Sequence, residues 1–350
     1  MVLLARRKVK MTTENKKVTI THIAKMANVS PSTVSRVLRG SAEVSEAKRT
    51  AIQQAIEELQ YRPNIFAQSL ASGQSMTIGV LTQNFGSPFY DGILQGILQG
   101  LEGSDYWPMF ADGRWYEKVE KHALHLLLDR RVDGLIIIGG QLDAEMLHSI
   151  LKTTPLVVVA REIPPIRNRC LYVNNYEAGY AATRYLIDMG HRHIAHITAP
   201  TINKIAIDDV EKRFEGYKQA LIDASLPIDP HLIVEGNLLQ QSGVLAVEML
   251  LSRGRPFSAI FAANDQMAFG ARLALYRRGI RVPEDVSLVG VDDEPSAAYI
   301  VPPLTTVRQP AVEMGQVAAK AILAFINGKT PELTPFKAHL VVRESVSRYR

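Results

Sequence analysis

Apolar residues in the first sixty or so positions recur at helical spacing in three short runs. Ile20, Ile23, Ala24 and Ala27 share one face of a predicted helix, with Thr19 placed to cap it. Asn28 follows at a joint that calls for positive φ, which Asn tolerates better than most residues. Ser30 caps a second helix opening with Pro31, whose missing N–H costs nothing there. In that helix Val29, Val34, Val37 and Leu38 face inward, and Ser32, Thr33, Ser35 and Arg36 face outward. A third helix is predicted from a cap at Ser45 through Leu59, with Ala51, Ile52, Ala55, Ile56 and Leu59 on one side. Pro63 ends the pattern by disfavouring helix at Arg62. The next segment, Asn64 to Ala71, is helical in character but too poor in apolar residues to bury itself; Ser72 and Gly73 end it.

From Met76 onward the pattern changes. Strand-like apolar runs (Thr77–Leu81, Gly134–Ile138, Leu156–Val159, His193–Ile197, Ala259–Ala262, Ser287–Val291) alternate with helical segments. The helices are expected at Tyr90–Leu101, Tyr116–Asp129, Ala178–Met189, Phe214–Ala224, Ser242–Leu251 and Asp265–Arg278. Repeated alternation of this kind implies an α/β fold of doubly wound parallel sheets with helices on both faces. Its length suggests two similar subdomains with a cleft between them.

Charge sharpens the division. The segment Met1 to Arg62 holds twelve Lys/Arg against five Asp/Glu, a surplus of seven; the whole chain nets +5, so the remainder carries −2. The positive excess therefore sits on the helical head, as expected of a nucleic-acid-binding module on a near-neutral body. A helix that hides its valines and shows hydroxyls with one arginine suits a DNA major groove. Hydrophobic content of 47% without a run of spanning length predicts a sizeable soluble core and no membrane partner. The start, MVLLARRKVK, places its short apolar run before the basic residues, the reverse of a secretory signal, and export is not expected. Cys170 is the sole cysteine, consistent with a cytoplasmic location.

Six motifs in order, VTITHIAKMANVSPSTVSRVL, ELQYRPNIFAQSLASG, RRVDGLIIIG, FAANDQMAFGA, IRVPEDVSLVGVDD and PPLTTVRQP, resemble the lactose-repressor and galactose-repressor family of bacterial transcription regulators. The stretch from Arg161 to Ile197 looks most like the galactose-repressor branch. The resemblance implies a helix-turn-helix head (18–63), a hinge helix and linker (64–75) and a periplasmic-binding-protein-type body (76–350), preceded by a basic arm (1–17). The N-subdomain would comprise about 76–172 and 308–335, the C-subdomain about 173–307 and 336–350. It further implies a homodimer on a near-palindromic operator, with affinity set by a small, sugar-like effector. No cofactor or metal is expected.

By the same resemblance Pro31, Ser32 and Arg36 occupy base-facing positions. Arg36 can give guanine two parallel hydrogen bonds, Ser32 specifies little, and Pro31 offers only apolar contact. Thr19, Thr33, Ser35 and Asn64 are expected on phosphates. Leu70 would wedge between base pairs from the minor groove, with Ala67 allowing close approach of two hinge helices.

Ligands of paired α/β subdomains bind beyond the carboxyl ends of the strands. The effector residues expected there are Phe89, Tyr90, Arg161, Arg213, Asn237, Asp265, Asp292 and Asp293. Planar Asp, Asn and Arg groups each satisfy neighbouring hydroxyls, and aromatics cover a sugar's apolar face. Two positions depart from the family: Ala160 stands where relatives carry Asp before Arg161, and Leu238 where they carry an aromatic. His191, His193 and His196 lack acidic or thiol companions and do not read as a metal site. Phosphate-binding loops, nucleophile elbows and dinucleotide turns are absent from the sequence, and a non-enzymatic role is expected. The alternative readings for such a body are an exported sugar-binding protein and a sugar-modifying enzyme.

Overall fold

The computed structural model describes residues 18–38, 44–61, 73–199 and 208–349. It divides into two units, Met1–Gly73 and Gln74–Arg350. Asn64, Ala67 and Leu70 lie outside the described residues, as does the arm 1–17.

In the head, α1 (Ile20–Met26), α2 (Pro31–Leu38) and α3 (Glu46–Glu58) follow the predicted runs. Thr19 and Ser45 stand at the N-caps of α1 and α3. The Thr19 backbone N–H donates to His22 Nδ1 at 3.0 Å. Asn28 takes φ 51°, which turns the chain between α1 and α2. Ile23, Ala24, Val34, Ile52 and Ala55 close a small buried core, and Val29, Val37, Leu38 and Leu59 pack partly against it.

The body contains two sheets. The first, ordered β2-β1-β3-β4-β5, comprises β1 (Thr77–Thr82), β2 (Trp107–Asp112), β3 (Gly134–Ile138), β4 (Leu156–Val159) and β5 (Cys170–Leu171), all parallel. In the second, β6 (Ile194–Thr198), β7 (Ile233–Glu235), β8 (Ala259–Ala262), β9 (Ser287–Asp292) and β10 (Thr305–Arg308) are parallel. The strand β11 (His339–Val341) runs antiparallel at its edge, giving the order β11-β10-β9-β8-β6-β7. Strands β3, β4, β6 and β8 are buried throughout, as sheets covered on both faces require.

The helices are α4 (Pro88–Leu101), α5 (Glu117–Asp129), α6 (Ala144–Leu151), α7 (Asn175–Asp188), α8 (Asp208–Asp223), α9 (Gln240–Ser252), α10 (Asp265–Arg277) and α11 (Ala311–Ile326). After β10 the chain returns to the first sheet as α11, whose Met314, Ala318 and Ile322 join the core of β1, β3 and β4. It then re-enters the second sheet as β11. Each lobe is therefore built from separated stretches of sequence.

Strands β2, β5, β10 and β11, and helices α6 and α11, are additions to the sequence reading. The added strands are edge, very short or Pro-flanked: β2 carries Pro108, β5 has two residues and β11 three. Such runs leave little period-2 signal.

Three helix pairs share one device. Gly96 of α4 faces the Val312 carbonyl of α11, and Gly315 of α11 faces the Ile93 carbonyl. Gly179 and Gly216 play the same reciprocal part between α7 and α8, and Gly243 and Gly270 between α9 and α10. A Cβ at any of these six would collide with the opposing backbone, so glycine sets the interhelical distance.

Candidate functional site

On the head, the outer face of α2 presents Pro31, Ser32 and Arg36, all exposed, while Thr33 and Ser35 are half-buried. The Ser30 hydroxyl lies 2.8 Å from both the Ser32 and Thr33 hydroxyls. The helix thus buries Val34 and leaves one long, fork-shaped donor, Arg36, on its exposed side. Thr19 is likewise exposed, at the start of α1.

In the body, a cavity of about 400 Å³ lies between the two sheets at the carboxyl ends of their strands. Of the expected residues, Phe89, Tyr90, Arg213, Asn237 and Asp292 line it. Phe89 and Tyr90 stand edge-to-face at the start of α4, with centroids 5.5 Å apart, and Tyr90 meets Trp115 likewise at 6.1 Å. Arg213 is anchored from behind: its Nε donates to Asn175 Oδ1 (2.8 Å) and its Nη1 to the Ala263 carbonyl (2.6 Å). Asp292, at the end of β9, accepts from Gln309 Nε2 at 2.7 Å. Burial pushes its carboxyl up to about 6, although the Arg213 charge opposes this.

Three expectations need correction. Asp265 does not face the cavity. It is fully buried, accepting from Thr306 Oγ1 (2.6 Å) and the Glu294 backbone N–H (2.9 Å), and burial raises its pKa. The residue before it, Asn264, caps α10 through Met267 N–H and reaches the cavity instead. Asp293 is held by Arg308 and Arg343, each at 2.6 Å, and borders a different depression. These two arginines consume both of its oxygens. Arg161 lines not the main cavity but an adjoining one, with Nη1 bonded to the Leu142 carbonyl at 2.7 Å.

Gln83, Asp112, Arg114, Trp115, Asp209 and Gln266 also line the wall, beyond the residues expected from the sequence. Trp115 rests on a buried polar network. Gln83 Nε2 and the Gln141 backbone N–H both donate to Glu120 (3.0 and 2.8 Å), and the Gln141 side chain donates to the Trp115 carbonyl (3.3 Å). Burial raises the Glu120 pKa despite these bonds. Gly140, at φ 91°, lets this network pass, because a Cβ there would strike the Glu120 carboxylate. The usable signal was positional: Asp112 ends β2, and Arg114 and Trp115 follow it, so a reading without β2 had no strand end there.

Backbone strain gathers at the same rim. Arg114, Trp115, Ala160, Leu238 and Asp293 hold φ between 53° and 67°, and Asp292 holds 124°. Non-glycine residues in this region cost roughly 1–3 kcal/mol each, and such strain concentrates at ligand sites. Ala160 and Leu238, the two departures from the family pattern, are among them.

His191 and His196 are held within the packing of the second lobe. His191 bonds Ser258 Oγ (2.9 Å) and the Ser347 carbonyl (3.1 Å). His196 is stacked among Phe214, Tyr217 and Phe261, and burial pushes its pKa down to about 3.

Residues 19–64 match the model for bacterial regulatory proteins of the lacI family, and residues 183–346 match that for a periplasmic binding protein-like domain. The chain is 35% identical over 332 residues to the HTH-type transcriptional regulator GalR of Escherichia coli K12, covering 94% of this chain and 96% of GalR. Among solved structures it resembles the lac repressor dimer bound to operator and the anti-inducer ONPF (TM-score 0.85, 29% identity, covering 95% and 100% of the two chains). It also resembles the transcriptional regulator CelR in complex with cellobiose (TM-score 0.68, 34% identity, covering 94% and 99%). With a helix-turn-helix head, a two-lobed binding body and this full-length similarity, the chain belongs to the lacI family of bacterial regulatory proteins and is a DNA-binding transcriptional regulator.

Proposed function

We propose that this regulator is a repressor of sugar-utilisation genes. As a homodimer in the cytoplasm it binds a near-palindromic operator and changes affinity when a sugar or sugar derivative enters the cleft. The observation that carries the reading is the cavity wall: Asp292, Arg213 and Asn237 from one lobe face Tyr90, Phe89 and Trp115 from the other. Planar polar groups opposite aromatic faces match the two sides of a pyranose. Both lobes contribute, so a ligand that touches both favours one lobe arrangement over another, which is what coupling to DNA requires. CelR, a relative, is described with cellobiose.

The effector residues are then Phe89, Tyr90, Arg213, Asn237 and Asp292, joined by Trp115, Asn264 and Gln266. On the head, Arg36 reads a base, Pro31 and Ser32 border it, and Thr19, Thr33 and Ser35 hold phosphates. Asn64, Ala67 and Leu70 belong to a hinge (64–75) that kinks the operator. Exposed apolar side chains supply surfaces for dimerisation: Trp107 and Met109 on edge strand β2 of one lobe, Leu273, Tyr276 and Tyr299 on the other.

The test is a thermal-shift screen of sugars and phosphosugars, followed by operator binding with each hit. A stabilising sugar that also changes operator affinity is the expected result. A screen in which no sugar raises the melting temperature removes the ligand class.

A further inference from the structure

We propose that Glu162 and Lys212 form an ion-pair latch between the two lobes, which sets their arrangement before any effector binds. Its consequence for DNA rests on the reading above that lobe arrangement is coupled to operator affinity.

The two ends of the latch belong to different lobes. Glu162 follows β4 of the first sheet, and Lys212 lies near the start of α8, which packs on the second. Lys212 Nζ donates to Glu162 Oε2 at 3.1 Å. The acceptor is held from its own lobe. The Tyr172 hydroxyl, just past β5, donates to Glu162 Oε1 at 2.8 Å, and Arg167 Nε stands 3.0 Å from that same oxygen. Arg167 Nε also donates to the Tyr172 hydroxyl at 2.7 Å, so the three side chains brace one another. The donor is fixed to the other lobe. Its neighbour Arg213 is bonded to Asn175 Oδ1 and to the Ala263 carbonyl, which pins the start of α8 to α7 and to the end of β8. Neither end can follow the opposite lobe without breaking bonds within its own.

The pair is charged at neutral pH. Burial opposes the charge on Glu162, yet the Tyr172 and Lys212 bonds outweigh it and keep the carboxyl below its ordinary pKa. With the two side chains 30% and 21% exposed, solvent screens the pair less than one on the open surface, but leaves it weak enough to be overridden. It also lies beside the crossings between lobes. Val173 and Phe336, on two of the joining segments, pair as an isolated bridge, and their neighbours Asn174 and Pro335 border the same depression as Glu162 and Lys212. Rotation of the lobes about these segments acts directly on the latch.

The experiment compares the parent with Lys212→Met, Glu162→Gln, the double variant of these two and the conservative Lys212→Arg, all as full chains without effector. Operator affinity is read by mobility shift. Lobe separation is read as acrylamide quenching of Trp115, which lines the cavity between the lobes, in a Trp107→Phe background. Each single loss of charge is expected to raise quenching and to shift operator affinity by roughly two- to fivefold in one common direction. The double variant should do no more than either single one, because both remove the same contact, and Lys212→Arg should behave as the parent. Quenching unchanged by the single substitutions, or a double variant equal to their sum, would overturn the latch. Quenching that follows the expected pattern while operator affinity stays constant would support the latch and overturn the coupling of lobe arrangement to DNA.

Discussion

At the scale of single residues, the proposed base reading falls on one side chain of α2. Ser32 and Thr33 share hydroxyl contacts with Ser30, and Pro31 has no donor, so Arg36 is the outward group able to address a base edge bidentately. Arg36→Ala should lower operator affinity about 5- to 150-fold, the equivalent of about 1–3 kcal/mol for one bidentate contact. The melting temperature should stay unchanged, because the side chain is exposed. Mobility-shift titration beside a thermal melt reads both, and equal affinity in parent and variant would refute the assignment. In the body, Glu294 and Asp292 give a pH dependence. Burial, with the neighbouring Asp292 charge, pushes Glu294 up to about 7, and burial pushes Asp292 up to about 6. Both folded values exceed the unfolded ones, so the native state binds more protons between about pH 4 and pH 7, and stability falls as pH rises through that window. Glu294→Gln keeps an acceptor for Gln266 and removes the charge. It should raise the melting temperature at pH 7.5 more than at pH 5; an equal shift at both would contradict this.

At the scale of elements, the reciprocal glycines fix helix packing in both lobes. Gly216 of α8 lies against the Tyr176 carbonyl of α7. Gly216→Ala improves intrinsic helix propensity by up to about 1 kcal/mol, yet forces the two backbones apart at a cost of about 1–3 kcal/mol or more. A lowered melting temperature in calorimetry is expected, and an unchanged or raised one would show that the pair can separate freely. These seams were not legible beforehand, since a glycine in a helical run says nothing about which carbonyl will face it. Elements with a strong period were legible: α1, α2 and α3, β3, β4 and β8 appear where spacing placed them. Strand β2 was not, because Pro108 and an exposed edge remove the alternation that burial imposes. Its loss hid the strand-end residues Arg114 and Trp115.

At the scale of the molecule, Met1–Gly73 and Gln74–Arg350 are separate compact units. A chain beginning at Gln74 should therefore melt cooperatively and bind the effector within about threefold of the full chain's affinity, while losing operator binding, since only local contacts are removed. Titration of both forms with the same sugar tests this, and loss of sugar binding by the shorter chain would show that the head helps build the site. No comparable cut is available between the lobes, because α11 returns to the first sheet after β10 of the second. That interleaving ties both halves of the cleft to one folding unit.

The sequence by itself determined the helix-turn-helix head, the α/β body and the concentration of positive charge on the head. These follow from local spacing, turn chemistry and composition, which short stretches carry within themselves. It also placed Tyr90, Arg213, Asn237 and Asp292 near a cleft, because each lies close to a strand end or helix start. Only the tertiary structure decided which polar groups remain available to a ligand. Asp265 and Asp293 sit beside cleft residues in sequence, yet Thr306, Arg308 and Arg343, each at least fifteen positions away, claim their oxygens. A carboxylate can contact a ligand only where the fold has not already engaged both of its oxygens, and long-range packing settles that.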